Sequence, residues 1–402
     1  MAIIKTAKNI QIKVTDSYHL SVGKKVEKIA QKINVEAQKN NLVLASNKKI
    51  MSMETNKLRI LILFIVSSFS LINCQNKKME EKYSWLGTLS APQEYPMEIY
   101  EGAIIADDFT YGFDAIWGTQ NTGWGNEGGT MSVETRQMGI PKKLEFTWYS
   151  LVENKFYTGK WDLDHGKIKD LFAKGFIDQD NGKKTTYTNF IVGLAPKGRV
   201  VLWINGPGNQ KEVGVFQAHD TLITKEKAYD NAKYMLKEGF AERMLKDPSY
   251  ETFKPEIRAK IEKEGYPDPG IYDVYRERYS WKPSVILPEG SEWIDFGLTN
   301  YNGEQENLFG ESLTSDTYKK RAVPKFCGFY WRDQNKNRYG VWIDSFDEKE
   351  IFQLFQKLGK EKNIDFTIKV NAENTSALLS LKSETEELPV TKAKIRWSRK
   401  ID

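Results

Sequence analysis

Pro141-Lys142-Lys143-Leu144-Glu145-Phe146-Thr147-Trp148 and Pro324-Lys325-Phe326-Cys327-Gly328-Phe329-Tyr330-Trp331 share Pro, Lys, Phe and Trp at equal spacing. The likeness runs on, with a two-residue slip, from Asn154–Trp161 against Asn337–Trp342. Asp164, Ile168, Leu171 and Phe172 then face Asp347, Ile351, Leu354 and Phe355 at identical intervals, and Gly175 and Gly359 close the two segments. Residues 189–192 and 200–204 finally parallel residues 365–368 and 377–381. Period-two runs read as strands, and apolar residues four, seven and eight positions after an Asp read as one face of a helix. The aspartates stand where an N-cap accepts orphan N–H groups, and the glycines where a helix stops. The expectation is an α+β chain of two tandem, duplicated antiparallel β-sheet domains, each with one packed helix covering a face.

Outward from this pair, the domains are expected at 83–222 and 269–402, joined by a helical connector at 223–268. Within the connector, residues 225–246 place Ala228, Ala232, Met235, Leu236, Phe240 and Met244 on one helical face. A second helix fits Pro255–Glu264, with Pro at its first turn. Lys alternates with Glu throughout, which describes packing or lid helices rather than membrane or nucleic-acid helices.

The N-terminal 73 residues read differently. Residues 1–50 carry short period-two bursts, such as Asn9–Val14 and Asn41–Ser46. Their repetition suggests a stacked β-solenoid. The stretch resembles the tail of valine-glycine repeat (VgrG) spike proteins, and equally any short repetitive β segment. Residues 51–73 set Lys57 and Arg59 before an uncharged run from Ile60 to Ile72, too short to span a ~30 Å hydrocarbon core but suited to a signal peptide. Leu71-Ile72-Asn73-Cys74 resembles a lipobox, which implies lipidation of Cys74 and a start of translation at Met51 or Met53. Asn73 departs from the small residue usual before the cysteine. Gln75, in place of an inner-membrane Asp signal, implies outer-membrane sorting with the protein on the periplasmic face, and residues 74–82 read as a linker.

Charge follows this division. The chain has 402 residues, with 59 Lys+Arg against 54 Asp+Glu. Residues 1–73 hold 12 of the basic and 4 of the acidic residues, leaving 47 and 50 from Cys74 onward. The net basic character lies in the leader, so no acidic partner is implied for the rest, and no basic stripe interleaved with aromatics suggests nucleic acid.

Catalytic candidates are sparse. Beyond the leader there are two histidines, His165 and His219, and no Gly-x-Ser-x-Gly elbow. Asp162-Leu163-Asp164-His165 is the best acid/base or metal candidate, but Asp347 sits at the matching helix start with no His beside it, which favours capping. Asp107-Asp108 reads as a turn between strands, and Cys327 as a small core residue. Neither a catalytic residue, nor a metal, nor a cofactor is therefore assigned. Gly123-Trp124-Gly125-Asn126-Glu127-Gly128-Gly129 lacks the Lys-Ser/Thr of a phosphate loop. It reads either as a long β-loop anchored by its Trp or as a recognition loop offering Trp124, Asn126 and Glu127. Arg276, Arg278 and Trp281 form a second candidate contact set, or else pair strands and dock the two halves.

Gly118–Gly129, Pro141–Trp148, Gly193–Trp203 and the string Tyr275-Arg276-Glu277-Arg278-Tyr279-Ser280-Trp281-Lys282-Pro283 together resemble the bacterial lipoprotein family known as domain of unknown function 2931. The likeness spans most of residues 83–402. It implies a lipoprotein encoded near interbacterial toxin genes, including phospholipase effectors, and hence a non-enzymatic immunity protein that binds a secreted effector. A glycan- or lipid-binding envelope module is the alternative expectation.

Overall fold

The computed structural model describes residues 81–401 apart from Arg136. Residues 1–50, the signal segment 51–73 and Cys74 lie outside the described residues. The described residues make one compact unit, built mainly of β-strands with few helices.

The first half opens with β1 (Leu86–Ser90), β2 (Met97–Ile105) and β3 (Thr110–Asp114). The hairpin β4 (Lys143–Ser150) and β5 (Lys155–Asp162) leads into α1 (His165–Lys174), followed by β6 (Asn189–Ala195), β7 (Arg199–Gly206) and β8 (Asn209–Gln217). After the connector come β9 (Arg278–Ile286), β10 (Glu292–Asn300), β11 (Gln305–Phe309) and β12 (Lys319–Ala322). The second half continues with the hairpin β13 (Pro324–Arg332) and β14 (Arg338–Phe346) and with α5 (Glu348–Leu358). It ends with β15 (Asn363–Val370), β16 (Ala377–Lys382), β17 (Glu387–Val390) and β18 (Ala393–Ile401).

Both quoted stretches are first strands of hairpins that run into a helix. The capping expectation holds in detail. The Asp164 carboxylate accepts from the Lys167 N–H at 3.0 Å, and that of Asp347 from the Glu350 N–H at 2.8 Å. Gly175 and Gly359 follow the helix ends at φ of 55° and 89°. Ile168 and Phe172 bury the inner face of α1, and Ile351, Phe352, Phe355 and Leu358 that of α5.

The expectation of one antiparallel sheet per half is corrected. Each half contains two sheets, and each includes a parallel pair. In the first half β5-β4-β2-β3 form one sheet, extended by a short strand at His219–Thr221, while β1-β6-β7-β8 form the other, with β1 parallel to β6. The second half repeats this order: β14-β13-β10-β11 in one sheet, and β9-β15-β16-β17 in the other with β9 parallel to β15. A strand that follows a helix returns beside the strand that opened its half, and partners so far apart in sequence leave no local signal. Aromatic and aliphatic side chains from the two sheets and the helix fill one core in each half.

The halves are joined edge to edge. β8 meets β11 antiparallel at Gln210 and Gln305, producing a nine-stranded sheet in the order β1-β6-β7-β8-β11-β10-β13-β14-β18.

The connector also departs from expectation. Residues 225–246 are not one helix: a 3₁₀ segment at Asp230–Leu236 ends at an extended Lys237, and Gly239 at φ 66° starts α2 (Phe240–Lys246). Ala228, Ala232, Met235, Phe240 and Met244 are buried against Tyr100, Tyr149, Leu151 and Phe156 and Leu236 is partly buried, but they come from separate short segments rather than from one helical face. α3 (Pro255–Glu264) has the expected bounds, and a single turn, α4 (Ile271–Val274), leads into β9. No helix among the described residues is long and apolar enough to cross a membrane.

Candidate functional site

The first contact set is mostly structural. Trp124 is 6% exposed, standing edge-on to Trp203 at 4.9 Å and tilted against Tyr272 at 5.2 Å. Its reading as an exposed anchor is corrected, since the loop turns the ring inward to cover β7. Next to it Gly125, at φ 79°, touches Gly303 so closely that a Cβ would stand 2.5 Å from the Gly303 Cα. The Gln210 side-chain amide donates to the carbonyls of both glycines at 2.7 Å. Asn126 and Glu127 remain on the surface, Asn126 donating to the Thr122 carbonyl at 3.0 Å and Glu127 accepting from Asn189 at 2.7 Å.

The second set is also taken up internally, and its reading as a free contact surface is corrected. Arg276 forms a two-pronged pair with Glu212 of β8 at 2.9 and 3.0 Å. Arg278 donates to Glu304 at 2.7 Å. Trp281 is fully buried, its indole N–H donating to the Ala322 carbonyl at 3.0 Å. Arg276 thus ties one half to the other, whereas the partners of Arg278 and Trp281 lie within the second half.

Around them lies a buried ion network. Arg321 reaches Glu306 at 2.9 Å, both Asp316 oxygens at 2.9 Å and the Trp281 carbonyl at 2.7 Å. Burial alone would raise the Glu306 pKa, but Lys211, Arg321 and Lys319 outweigh it and hold the group down at about 2. A carboxylate depressed from 4.5 stabilises the fold above its unfolded value and loses that contribution as pH falls through about 2. The expected loss is ~3 kcal/mol between pH 5 and pH 2. Urea unfolding midpoints measured across that range check it. A midpoint that stays constant, or the same drop in Glu306→Gln, would contradict it.

The Asp162–His165 cluster does not assemble a site. Asp164 is spent on its cap, the His165 ring nitrogen Nδ1 lies 3.5 Å from the Pro141 carbonyl, and no metal-binding group occurs among the described residues. Asp107 pairs with Lys142 beside the turn at Ala106–Phe109, while Asp108 pairs with Lys82 at 2.8 Å and accepts from the Gly139 N–H. Cys327 is fully buried, which pushes its thiol pKa far up.

The concavity that none of these readings found lies at the junction. A cleft of about 820 Å³ has walls from both halves and from the connector, within the size range of ligand pockets. A run of rings crosses it: Trp124 to Tyr272 at 5.2 Å, Tyr272 to Tyr275 at 5.8 Å and Tyr275 to Tyr301 at 5.1 Å. Phe352 packs on Tyr275 and Tyr301 at 5.7 and 5.1 Å. Burial raises the pKa of all three tyrosines, so the phenols are neutral donors. Glu348, the first residue of α5, lies beside the Tyr275 hydroxyl.

Lys325 lines the same cleft, open to it. Two elements aim it there. Pro324, without an N–H, begins β13, and the ladder to β10 runs from Asn300–Pro324 to Thr299–Phe326, leaving Lys325 as an unpaired bulge residue. Bulges re-aim side chains in this way. Desolvation by the cleft walls lowers the Lys325 pKa although the residue keeps an exposed surface, Lys260 adding to the effect and Glu94 and Glu348 opposing it. No hydrogen bond or ion pair reaches its ammonium among the described residues. Lys260, by contrast, is paired with Glu94 at 3.0 Å. The shared Pro-Lys dipeptide marked this position in the sequence, but nothing local marked it as uncompensated.

No curated protein and no solved structure matches the chain. The family match is shorter than the expected resemblance, since it omits the second half and the Tyr275–Pro283 string with it. Residues 73–268, the first half and its connector, match the model of the family described as protein of unknown function (DUF2931).

Proposed function

We propose that this chain is a non-enzymatic binding protein of the cell envelope, held at the outer membrane by a lipid on Cys74 and facing the periplasm. Its partner in this reading is a secreted antibacterial effector of the lipase type, which it neutralises by seating part of it at the junction cleft. The observation that carries the reading is that cleft: aromatic side chains from both halves line it together with Lys325, which has no ion-pair partner among the described residues. Aromatic anchors in a desolvated pocket are the usual core of a protein contact. The lipobox and the spike-like residues 1–50 add support, as does a family match that begins at residue 73, next to Cys74.

The test is killing by the effector encoded beside this gene, in strains with and without the protein. The expected result is survival only where the protein is present, and loss of survival with Lys325→Glu. Equal killing in both strains would reject the reading. A second reading, an envelope module for glycans or lipids, draws on the same row of tyrosines, because rings can stack on sugars. Retention of glycans in an array, with no effect on killing, would favour it.

We infer further that the two halves descend from one duplicated unit. The shared strand order, the parallel β1–β6 and β9–β15 pairs and the two Asp-capped helices support that descent.

A further inference from the structure

We propose that the junction cleft binds an organic anion, a carboxylate or phosphate monoester carried on a ring or other apolar body, with Lys325 as its counter-charge. The inference rests on reading the cleft as the binding site and names the chemistry that it takes.

The comparison of the two halves carries the argument. Pro141-Lys142 and Pro324-Lys325 occupy the same place at the start of corresponding strands. In the first half the lysine is answered from the neighbouring turn: Lys142 pairs with Asp107. In the second half the corresponding turn reads Tyr301-Asn302-Gly303-Glu304, and its one acid is already held by Arg278 at 2.7 Å. An aromatic ring thus lines the turn beside Lys325, where the first half offers a carboxylate.

The other charges around the cleft are mostly engaged. Glu94 holds Lys260, Asp344 holds Arg396 at 3.0 and 3.1 Å, and Asp347 caps α5. Glu264 lies 3.4 Å from Lys263. Glu348 remains beside Tyr275, close enough to act on Lys325 but not within ion-pair distance. Glu94 and Glu348 act on Lys325 from beyond ion-pair distance, so its ammonium, open to the cleft, has no ion-pair partner among the described residues. An incoming anion would supply the missing charge, while the Tyr275 and Tyr301 rings would receive the body that bears it. A free inorganic ion would leave those rings unused.

The experiment is acylation of the purified full chain near neutral pH, with the rate at Lys325 read by peptide mass analysis and exposed Lys246 as the internal reference. The probes are benzoate and phenyl phosphate, with acetate and inorganic phosphate lacking the ring and benzyl alcohol lacking the charge. At tenfold excess over Kd, benzoate or phenyl phosphate is expected to slow acylation of Lys325 about tenfold. Lys246 should be unaffected. The same two probes should raise the melting temperature of the unaltered chain and of Lys325→Arg, and not that of Lys325→Met.

Acylation of Lys325 unchanged by every probe would overturn the proposal. So would equal protection by acetate and inorganic phosphate, or by benzyl alcohol. Should Lys325→Met fail to fold, the labelling of the unaltered chain decides alone. Shielding of Lys325 together with failed protection of cells would reject the effector reading and leave the cleft chemistry standing. The converse pair of results would do the opposite.

Discussion

Arg321→Met is expected to destabilise the protein by ~3–5 kcal/mol, because removing one partner of a buried ion cluster strands the others. The Arg321 side chain is 5% exposed and that of Asp316 3%. Its loss removes both 2.9 Å contacts to Asp316 and leaves the half-exposed Lys319 as the one remaining ion-pair partner of both acids among the described residues, 2.7 Å from Asp316 and 3.0 Å from Glu306. It also removes the guanidinium lying over the Trp281 ring, 5.5 Å from the centroid. Methionine replaces much of the volume, so the loss reports charge rather than a cavity. Urea unfolding at pH 7 measures it. Arg396→Met is the control: Arg396 also makes a two-pronged carboxylate pair, but on the surface, and its midpoint should not move. Equal midpoints for the two variants would refute the account. Adding Asp316→Asn and Glu306→Gln to Arg321→Met should restore part of the loss, since the acids then no longer need a counter-charge.

Gly125→Ala is expected to cost roughly 2–5 kcal/mol, the sum of a left-handed backbone that disfavours a side chain and a contact with no room for one. The backbone stands at φ 79°, and the obstacle is the Gly303 Cα, which belongs to the other half and cannot rotate away as a side-chain tip would. The halves should therefore separate locally as well as lose stability. Thermal denaturation measures the first effect. Faster amide exchange at Gln210 and Gln305, the residues that join the sheets, measures the second. Gly129→Ala, four residues along the same glycine-rich loop, meets nothing within 4 Å and should be neutral. A neutral Gly125→Ala would show that the close approach is not required.

These two sites mark where local sequence stops informing the fold. The hairpin and its capped helix were legible because their signals lie within a few residues, as in Asp347 before Ile351 and Phe355. The second sheet of each half was not, because Leu86 finds Asn189 and Ser280 finds Asn363 across whole hairpin and helix segments. The docking of the two halves was one of two open readings for Arg276 and Arg278, and it fits Arg276, which reaches Glu212, but not Arg278, whose partner Glu304 lies in its own half. For Trp124 and Trp281 two readings stood open for one physical reason: tryptophan suits a core and a contact surface alike, and only the covering strand distinguishes them. The site depends even more on distant parts of the chain. Lys325 is visible in the sequence as a residue type, but its want of a counter-ion is set by a turn more than twenty positions earlier.

The parallel seams carry a consequence for how the chain reaches this state. In each half the opening strand cannot be zipped into place until the strand after the helix exists, roughly a hundred residues later for β1. Closure of such distant loops makes folding slow, and until it happens β6 and β15 expose apolar edges open to pairing with other chains. A polypeptide emerging N-terminus first would hold β1 waiting through the synthesis of everything that later encloses it. For a protein of this topology the hazardous interval is assembly, and a holding chaperone would matter more to its yield than any gain in final stability.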